Sequence, residues 1–393
     1  MNNTRAILEA RPPLPWQKSR MHNGVRAANV MVVNRSTGQH REQRVVVVRE
    51  HDPQYAYRRY NRKPSIPLGD HGEKGEIIFC QVLPRYTALI NQQGGTTAVF
   101  EEPADPKFVA IKIVPRVGKH GVDRLVERGS NENPYHEIAS MQVYGDYHNI
   151  MNIIEALWDA RFLYMVMPAS DRGDLDGLIP WNRGGLPEIQ ARTVFRNVLR
   201  NMTYLQERGV THRDLKGKNI LLDSDGGTRL IDLAMSLRVP HEGDGNLTTP
   251  HHLINRTGPC GTLAYMAPEV IRNEDFDGYA IDVWSLGVIL FTLLTGERLY
   301  RLPLISDRSF EHFIDQNGLS DMELNNFWLQ NGVQLIEQQP EFRDWVPALL
   351  GKIQLFMNLS LEARTLLSGM LQEDREQRYT LGQITDSAWM LIG

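Results

Sequence analysis

The sequence predicts an α+β fold with a β-rich first half and a mainly helical second half. Short β-rich runs follow one another from Ile77 to Lys112, and Leu163–Met167 is a further predicted strand. Helical patterns dominate from Leu186 to Glu207 and again after Asp282. A chain of 393 residues exceeds one average domain, so its size fits two packed lobes and an extension.

Charge is unevenly distributed along the chain. The net charge of −4 is mild and indicates neither a nucleic-acid nor a membrane partner. Residues 1–70 carry 13 Lys and Arg against 5 Asp and Glu, whereas the remainder has a net charge of −12. We expect this basic N-terminal segment to be a solvated, mobile arm.

The cysteines and the apolar runs of the sequence indicate the cellular location that is expected for the protein. Cys80 and Cys260 are far apart, so no disulfide framework is implied and a reducing, cytoplasmic location is expected, with the nucleus not excluded. The N-terminus lacks the apolar core of a signal peptide. The apolar run Val283–Gly296 has 14 residues, too few to span a bilayer, and predicts a helix buried on all sides.

Residues 1–75 are interpreted as an N-terminal extension and linker, hairpin-forming or partly disordered. Two valine-rich runs, Val30–Val33 and Val45–Val48, flank a glycine-containing turn and predict a β-hairpin. An isolated hairpin is marginal, so it would need to dock on the body of the protein. The stretch Arg58–Leu68, with two prolines, predicts a linker.

The run Thr211–Leu222 contains the main chemical signal. It reads Thr-His-Arg-Asp-Leu-Lys-Gly-Lys-Asn-Ile-Leu-Leu, and it resembles the catalytic loop H-R-D-L-x-x-x-N of eukaryotic protein kinases. In that family the Asp, here Asp214, accepts the proton of the attacking hydroxyl, and the Asn, here Asn219, holds magnesium. An Asp in a plain polar turn would explain a lone His-Arg-Asp, but not the whole run.

Further kinase motifs follow in the family's order. Val109-Ala110-Ile111-Lys112 is similar to the strand with the phosphate-binding lysine, and Glu137 is the candidate partner carboxylate on the next helix. Asp232 stands where the family's D-F-G begins, and Ala267-Pro268-Glu269 matches A-P-E. The resemblance covers about residues 76–393. It implies a bilobal kinase-like fold with an N-lobe and hinge at 76–170 and a C-lobe at 171–393, including an activation segment at 232–269.

The resemblance also implies ATP and Mg²⁺ as cofactors. Asn219 and Asp232 would hold the metal, and Asp174 would meet the ribose unless it simply caps the next helix. Residues implied in nucleotide binding are Gly94, Val99, Ala110, Lys112, the gatekeeper Met167, the hinge residues Ala169 and Ser170, and Asp174.

Two motifs depart from the family pattern. In the glycine-rich loop register only the second glycine survives, as Gly94. Leu233-Ala234 replaces Phe-Gly after Asp232. We expect the leucine to fill the apolar site of the phenylalanine, and the alanine to reduce the number of backbone conformations that this segment can adopt.

Substrate choice is indicated by residues near the catalytic Asp. Lys216 and Thr262 resemble the serine/threonine branch of the family rather than the tyrosine branch. Lys218 occupies a position where arginine-directed members carry a Glu, so we expect basic residues before the phosphoacceptor to be avoided. A solvated lysine without effect on selectivity is the alternative.

Regulatory and structural roles are implied as well. The 37-residue interval from Asp232 to Glu269 has a polar middle, and Thr257 is the first candidate phosphoacceptor there, with Arg213 as the partner of the added phosphate. An upstream activating kinase is therefore a candidate partner, beside protein substrates. Glu269 is expected to pair with Arg378, and Asp282 to bond back to the catalytic loop.

These residues favour an ATP-dependent serine/threonine protein kinase. The runner-up is a pseudokinase that binds partners, which would explain the eroded glycine loop and the altered D-F-G. A small-molecule phosphotransferase is disfavoured, because Ala267-Pro268-Glu269 and the threonine-bearing loop before it resemble a peptide-docking surface.

Overall fold

The computed structural model describes the chain except for a set of excluded positions. These are residues 1–20, 24, 35, 38, 50–53, 64, 69–74, 91–95, 117–133, 146–148, 171, 182, 240–252, 255–260, 300–353, 373 and 393. The described residues divide into two compact units, one up to residue 170 and the other from residue 172 onward. The first is built on a sheet and the second mainly on helices, which confirms the predicted α+β class.

One ten-stranded sheet organises the N-terminal unit. Its strands are β1 (Met21–Asn23), β2 (Val25–Asn34), β3 (His40–Arg49), β4 (Tyr55–Arg59), β5 (Ile66–Leu68), β6 (Gly75–Ile90), β7 (Thr96–Glu102), β8 (Phe108–Pro115), β9 (Glu155–Trp158) and β10 (Phe162–Pro168). The order is β1-β9-β10-β8-β6-β4-β3-β2-β7, with β5 beside β6. Helix α1 (Pro134–Tyr144) belongs to the same unit.

Five strands of this sheet close into a small barrel. Strand β6 pairs with both β4 and β7, while β7 also pairs in parallel with β2, so the path β6-β4-β3-β2-β7 returns to β6. The closed path encloses a core, although β3 and β4 pair over only two residue positions. The buried cluster contains Val30, Val32, Val45, Val48, Ala56, Leu83 and Phe100. The valine-rich runs therefore build an interior.

The interpretation of the N-terminal segment is partly confirmed and partly wrong. The predicted hairpin is present, because β2 and β3 pair antiparallel. The prediction of a linker at Arg58–Leu68 is wrong, since β4 and β5 both pair with β6. The sheet thus begins at β1, well before residue 76. The physical reason is that Tyr57, two residues into the tyrosine-rich strand β4, is buried in the core with Ile78 and Ile111.

Helices dominate the C-terminal unit. They are α2 (Leu175–Leu178), α3 (Glu188–Gln206), α4 (Pro268–Ile271), α5 (Gly278–Thr295), α6 (Leu361–Met370), α7 (Leu381–Thr385) and α8 (Ala388–Leu391). Short strands form three antiparallel pairs, β11 (Val210–Thr211) with β14 (Leu237–Arg238), β12 (Ile220–Leu222) with β13 (Thr228–Leu230), and β15 (Leu253–Ile254) with β16 (Phe276–Asp277).

Helix α5 is the centre of this unit. Asp277 caps it by accepting hydrogen bonds from the amides of Tyr279 and Ala280, and Gly296 ends it with φ 68°. By length and composition the helix could cross a membrane, but 89% of it is buried inside the unit. It packs against α3 and α6, as expected for a helix that the sequence predicts to be buried on all sides.

Candidate active site

Asp282 holds the start of the predicted catalytic loop. Its carboxylate accepts hydrogen bonds from the amides of His212 (2.7 Å) and Arg213 (2.9 Å) and from the Thr211 hydroxyl (2.8 Å). Burial raises the pKa of Asp282, and the nearby His212 and these donors oppose the rise. The predicted contact of Asp282 with this loop is therefore present. It fixes a turn in which Arg213 has a left-handed φ of 67°.

Asp214, two residues on, lies in a closed triangle of hydrogen bonds. The Lys216 ammonium donates to Asp214 Oδ2 (2.6 Å) and to Thr262 Oγ1 (2.8 Å), and the Thr262 hydroxyl donates to Asp214 Oδ1 (2.7 Å). Asp214 is buried, while Lys216 is partly exposed. Three residues that the resemblance assigned to catalysis and to the serine/threonine branch thus contact one another directly.

A glycine places Thr262 beside this loop. Gly261 has φ 108°, and a Cβ there would lie 2.5 Å from the Arg213 carbonyl oxygen. Only glycine tolerates both the dihedral and the close approach. The activation segment therefore reaches the catalytic loop through residue 261.

The two candidate metal ligands are linked through the backbone. Asn219 Nδ2 donates to the Asp214 carbonyl (2.8 Å) and to Asp214 Oδ2 (3.2 Å), and the Ile231 amide donates to the Asn219 carbonyl (3.0 Å). With its amide nitrogen so engaged, Asn219 has Oδ1 to offer to a cation. Asp232, next to Ile231, adopts left-handed φ 63° and ψ 62°. An amide oxygen and a carboxylate are hard donors of the kind that suit Mg²⁺.

The residues after Asp232 form a short 3₁₀ turn, Leu233–Met235. Leu233 is fully buried, in agreement with the expectation that leucine fills the apolar slot of this motif. Ala234 is buried as well. The expectation that alanine limits the backbone conformations of this segment stays a prediction.

In the N-terminal unit, Lys112 and Glu137 form the expected ion pair. The Lys112 ammonium lies 2.8 Å from each oxygen of the Glu137 carboxylate. Strand β8 presents Lys112 between Ile77 on β6 and Met165 on β10, and α1 supplies Glu137, which is buried. The pair places a compact positive charge on a rigid central strand, which is suited to binding phosphate oxygens.

The predicted nucleotide-binding residues are only partly brought together. Ala110 and Met167 lie directly opposite each other on β8 and β10, near Ala169 and Ser170 at the end of β10. Val99 on β7 is only 1% exposed, so little of its surface is accessible to a base. Gly94 lies outside the described residues, and the glycine loop remains a prediction.

Asp174 takes the alternative role that the sequence left open. Its carboxylate caps α2 by accepting a hydrogen bond from the Gly177 amide at 3.0 Å. The ribose contact stays a prediction beside this cap.

Sequence reasoning missed two residues close to these sites. Asp176 packs against the catalytic loop so tightly that a Cβ on Gly217 would lie 1.9 Å from Asp176 Oδ1. Burial, and then the charge of Asp174, raise the pKa of Asp176. Lys63, from the supposed linker, donates to the Ser170 carbonyl at 3.4 Å. Neither contact follows from sequence spacing, since each joins segments 41 or more residues apart.

Glu269 and Arg378 form the expected second ion pair. The guanidinium makes two parallel bonds to the carboxylate, of 2.8 and 3.0 Å, and also donates to the carbonyls of Ala280 and Gln372. Such a fork-to-fork contact braces α4 against the C-terminal segment.

The regulatory assignments are only partly visible. The Arg213 guanidinium lies over the Phe276 ring, with 5.6 Å to the centroid. Thr257 lies outside the described residues, so its pairing with Arg213 stays a prediction. Cys80 is a buried free thiol whose pKa is raised to about 12 by burial, and Cys260 also lies outside the described part.

The lysine–glutamate pair of the N-terminal unit matches a motif of the protein kinase class, and so do the Asp214–Lys216–Thr262 triangle and the two candidate oxygen ligands of the C-terminal unit. The family model "Protein kinase domain" matches residues 93–390. The chain belongs to the protein kinase family.

Several curated relatives are serine/threonine kinases. CBL-interacting serine/threonine-protein kinase 16 of Arabidopsis thaliana is 31% identical over 281 residues, which is 72% of this chain and 50% of that protein. CBL-interacting serine/threonine-protein kinase 7 of the same plant is 29% identical, over 70% of this chain and 67% of that protein. Probable serine/threonine-protein kinase MARK-A of Dictyostelium discoideum is 27% identical, over 83% of this chain and 25% of that protein. This chain therefore spans about half of the first relative and about two thirds of the second.

Proposed function

We propose that this chain is an active serine/threonine protein kinase that transfers the γ-phosphate of ATP to protein hydroxyls. The observation that carries the proposal is the closed triangle of Asp214, Lys216 and Thr262. A chain that served only as a binding module would have no need to hold a base, a cation and a hydroxyl in one network. Family membership and the named serine/threonine kinases among the relatives support the same activity.

The carboxylate of Asp214 is oriented to act as the base. Oδ2 receives two donors, Lys216 and Asn219, whereas Oδ1 receives only the Thr262 hydroxyl among the described residues. Oδ1 therefore keeps one lone pair for the hydroxyl of a substrate. That hydroxyl would give its proton to Asp214 while its oxygen bonds to the γ-phosphorus. The bond from phosphorus to the bridging oxygen breaks, and ADP leaves with the electron pair.

Positive charge is supplied from fixed positions. Lys112, oriented by Glu137, would bind the phosphates of ATP, and Lys216 would neutralise charge that develops on the transferring group. Asn219 Oδ1 and Asp232 would hold Mg²⁺, which when bound neutralises phosphate charge. Two protein oxygens match a metal that takes its other ligands from phosphates and water.

The choice of serine and threonine rests on Lys216 and Thr262, both in direct contact with Asp214. Lys218, two residues after Lys216, is exposed in the 3₁₀ turn Gly217–Asn219 of the catalytic loop. It supports the proposal that arginine before the phosphoacceptor is disfavoured, through repulsion of like charges. A peptide array in which upstream arginine dominates the phosphorylated spots would reject this preference.

Regulation and location extend the proposal. We propose that phosphorylation of Thr257 by an upstream kinase raises activity through Arg213, and a Thr257→Ala variant with undiminished activity after such treatment would contradict this.

We also propose a cytoplasmic location, because a reducing compartment fits the free thiol of Cys80. Imaging of a fluorescent fusion tests the location, and a fusion confined to secretory compartments would exclude it.

Transfer from labelled ATP to a generic protein substrate tests the proposal. Wild type should transfer phosphate, and Asp214→Asn should lower the rate by about 10²–10⁴-fold, the usual contribution of a positioned base. Asp232→Asn should abolish transfer, because it removes the carboxylate proposed to hold Mg²⁺. Asp225→Asn, an exposed Asp in the same unit, is the matched control and should leave transfer unchanged. A folded wild type without transfer, even after treatment with an activating kinase, would favour the pseudokinase alternative.

A further inference from the structure

An arginine-lined pocket lies on the N-terminal barrel, and none of the residues assigned to catalysis lines it. Its volume is about 740 Å³, and it lies between β3 and the end of β4. The polar side chains that line it are Arg41, Gln43, Arg44, Arg58, Arg59 and Asn61, and no acidic residue lines it. The family resemblance assigns nothing to this surface, because the strands that form it precede the part of the chain that matches the kinase model.

The pocket exists because two strands separate. Strands β3 and β4 pair only at Val47 with Tyr57 and at Val48 with Ala56. On the side that faces β4, residues 41–46 of β3 therefore have no partner strand within the described part of the chain, whereas on their other side they pair with β2. An open strand edge offers backbone donors and acceptors to an added extended segment.

Arg58 forms the rigid wall of the pocket. Its guanidinium donates to the side chains of Gln43, Gln81 and Glu102, so it is held in one position. These bonds occupy the guanidinium of Arg58. A further ligand would therefore be bound by Arg41, Arg44 and Arg59.

Those three arginines are only weakly engaged. Arg41 is 65% exposed and lies 3.2 Å from Glu102, and Arg59 lies 3.9 Å from Glu76. Arg44 is exposed, and its side chain makes no hydrogen bond or ion pair with the described residues, although its backbone pairs with Asn29 of β2. Four guanidinium groups face two carboxylates, Glu102 and Glu76, which leaves a surplus of two positive charges around one concavity. That surplus matches a single phosphate dianion.

We propose that this pocket binds a phosphorylated side chain carried on an extended peptide segment. Arg41, Arg44 and Arg59 hold the phosphate, and the open edge of β3 pairs with the peptide backbone. Arginine suits this ligand because its planar fork matches phosphate oxygens in pairs. A membrane surface fits less well, because a concave site with two nearby carboxylates gives a local charge rather than a broad basic face, and because lipids do not use a strand edge.

Binding of a phosphopeptide to the full chain without ATP tests the proposal. The probe is a fluorescent peptide with one phosphoserine flanked by alanines, and its unphosphorylated twin is the reference, both followed by anisotropy. We expect the phosphopeptide to bind at least about tenfold more tightly, as for charge-assisted bonds to phosphate. Arg44→Gln/Arg59→Gln should abolish this preference. The matched control is Arg161→Gln, which removes one arginine from the turn between β9 and β10 and should change nothing.

Three results would overturn the proposal. Two of them are equal binding of both peptides and an unchanged preference for the phosphopeptide in the double variant. The third is binding of phosphatidylcholine vesicles that contain phosphatidylinositol phosphate, without binding of the phosphopeptide, since it would assign the pocket to a lipid. Should the double variant melt at a lower temperature, Arg44→Gln alone serves, because the Arg44 side chain has no partner among the described residues to lose, and the substitution leaves its backbone pairing with β2 in place. The measurement omits ATP, so its result does not depend on kinase activity.

Discussion

The two units of this protein can be compared through two ion pairs whose carboxylates are buried, Glu137 with Lys112 and Glu269 with Arg378, because the pairs are built differently. Arg378 is completely buried (0% exposed), and its guanidinium bonds to both oxygens of Glu269 and to two backbone carbonyls. Lys112 is 14% exposed and presents a compact ammonium to both oxygens of Glu137. A planar fork saturated by protein partners stabilises structure, whereas a point charge that is still accessible can bind a substrate. The surroundings of the cation thus separate a structural pair from a functional one.

The largest expected effect is on stability, from Arg378→Met. Removal of the guanidinium leaves the buried Glu269 carboxylate without its partner, so the free energy of unfolding should fall by about 3–5 kcal/mol. Denaturant titration measures this, with Arg272→Met as the control because its pair with Glu274 is exposed. That control should lose at most about 1 kcal/mol. Equal losses in the two variants would remove the distinction between the pairs.

A double variant sharpens the same point. If the loss comes from the unpaired carboxylate, Arg378→Met with Glu269→Leu should recover part of the stability that Arg378→Met alone loses. No recovery would show that the hydrogen bonds from Arg378 to Ala280 and Gln372 carry the effect instead.

The next effect is on catalysis, from Lys112→Met. Loss of one preorganised positive group should lower phosphate transfer by about 10²–10³-fold. The loss of unfolding free energy should be smaller than for Arg378→Met, because Arg378→Met also removes hydrogen bonds to two backbone carbonyls, whereas the partly exposed site of Lys112 is closer to water. Transfer assays and denaturant titration on the same samples give both values, with the exposed Lys107→Met as the control. A variant that loses stability but retains transfer would reverse the comparison.

A smaller effect is expected at the hinge, from Lys63→Ala. This side chain donates to the Ser170 carbonyl, so its removal should raise KM for ATP by up to about tenfold, the value of one hydrogen bond, with little change in kcat. Arg62→Ala, at the exposed neighbouring position, is the control. If kcat falls and KM does not, Lys63 acts on something other than nucleotide binding.

The smallest effect concerns acid stability and Glu102. Hydrogen bonds from Arg58 hold the pKa of Glu102 below its usual value of 4.5, against a smaller opposing effect of burial. The unfolded chain therefore takes up this proton first as the pH falls, and the stabilisation present above about pH 4.5 is lost below it. Glu102→Gln should make stability less dependent on pH in this range, by at most about 1 kcal/mol, because the side chain is only partly buried and solvent screens its interactions. An unchanged pH profile of the melting temperature would contradict this.

Most of the catalytic assignments were readable from the sequence because the chemistry is local. Asp214, Lys216 and Asn219 stand within six residues, and the contacts of Lys216 and Asn219 with Asp214 follow from that spacing. Helix α5 was equally readable, since an uninterrupted apolar run bounded by polar residues has few alternatives to burial. Lys63 and Asp176 were not readable, because each depends on a contact between distant segments.

The N-terminal barrel shows where sequence reasoning ended. Composition identified the hairpin β2–β3, because β-branched runs around a turn pair with their neighbours. The two prolines after β4 suggested a linker, yet β4 and β5 both pair with β6. Turn residues indicate where the chain bends, and they do not reveal what the flanking residues pair with.

The sequence by itself determined the family and the order of the motifs, and it predicted which residues serve as the base, the phosphate-binding lysine and the metal ligands. Those features depend on residue type at short spacing. Only the tertiary structure decided that β2 pairs with β7 across 68 residues of sequence, that the N-terminal strands belong to the lobe sheet, and that the arginines of β3 and β4 share one pocket. Such pairings are selected by burial of the whole apolar cluster and by closure of the barrel, which no local stretch of sequence records.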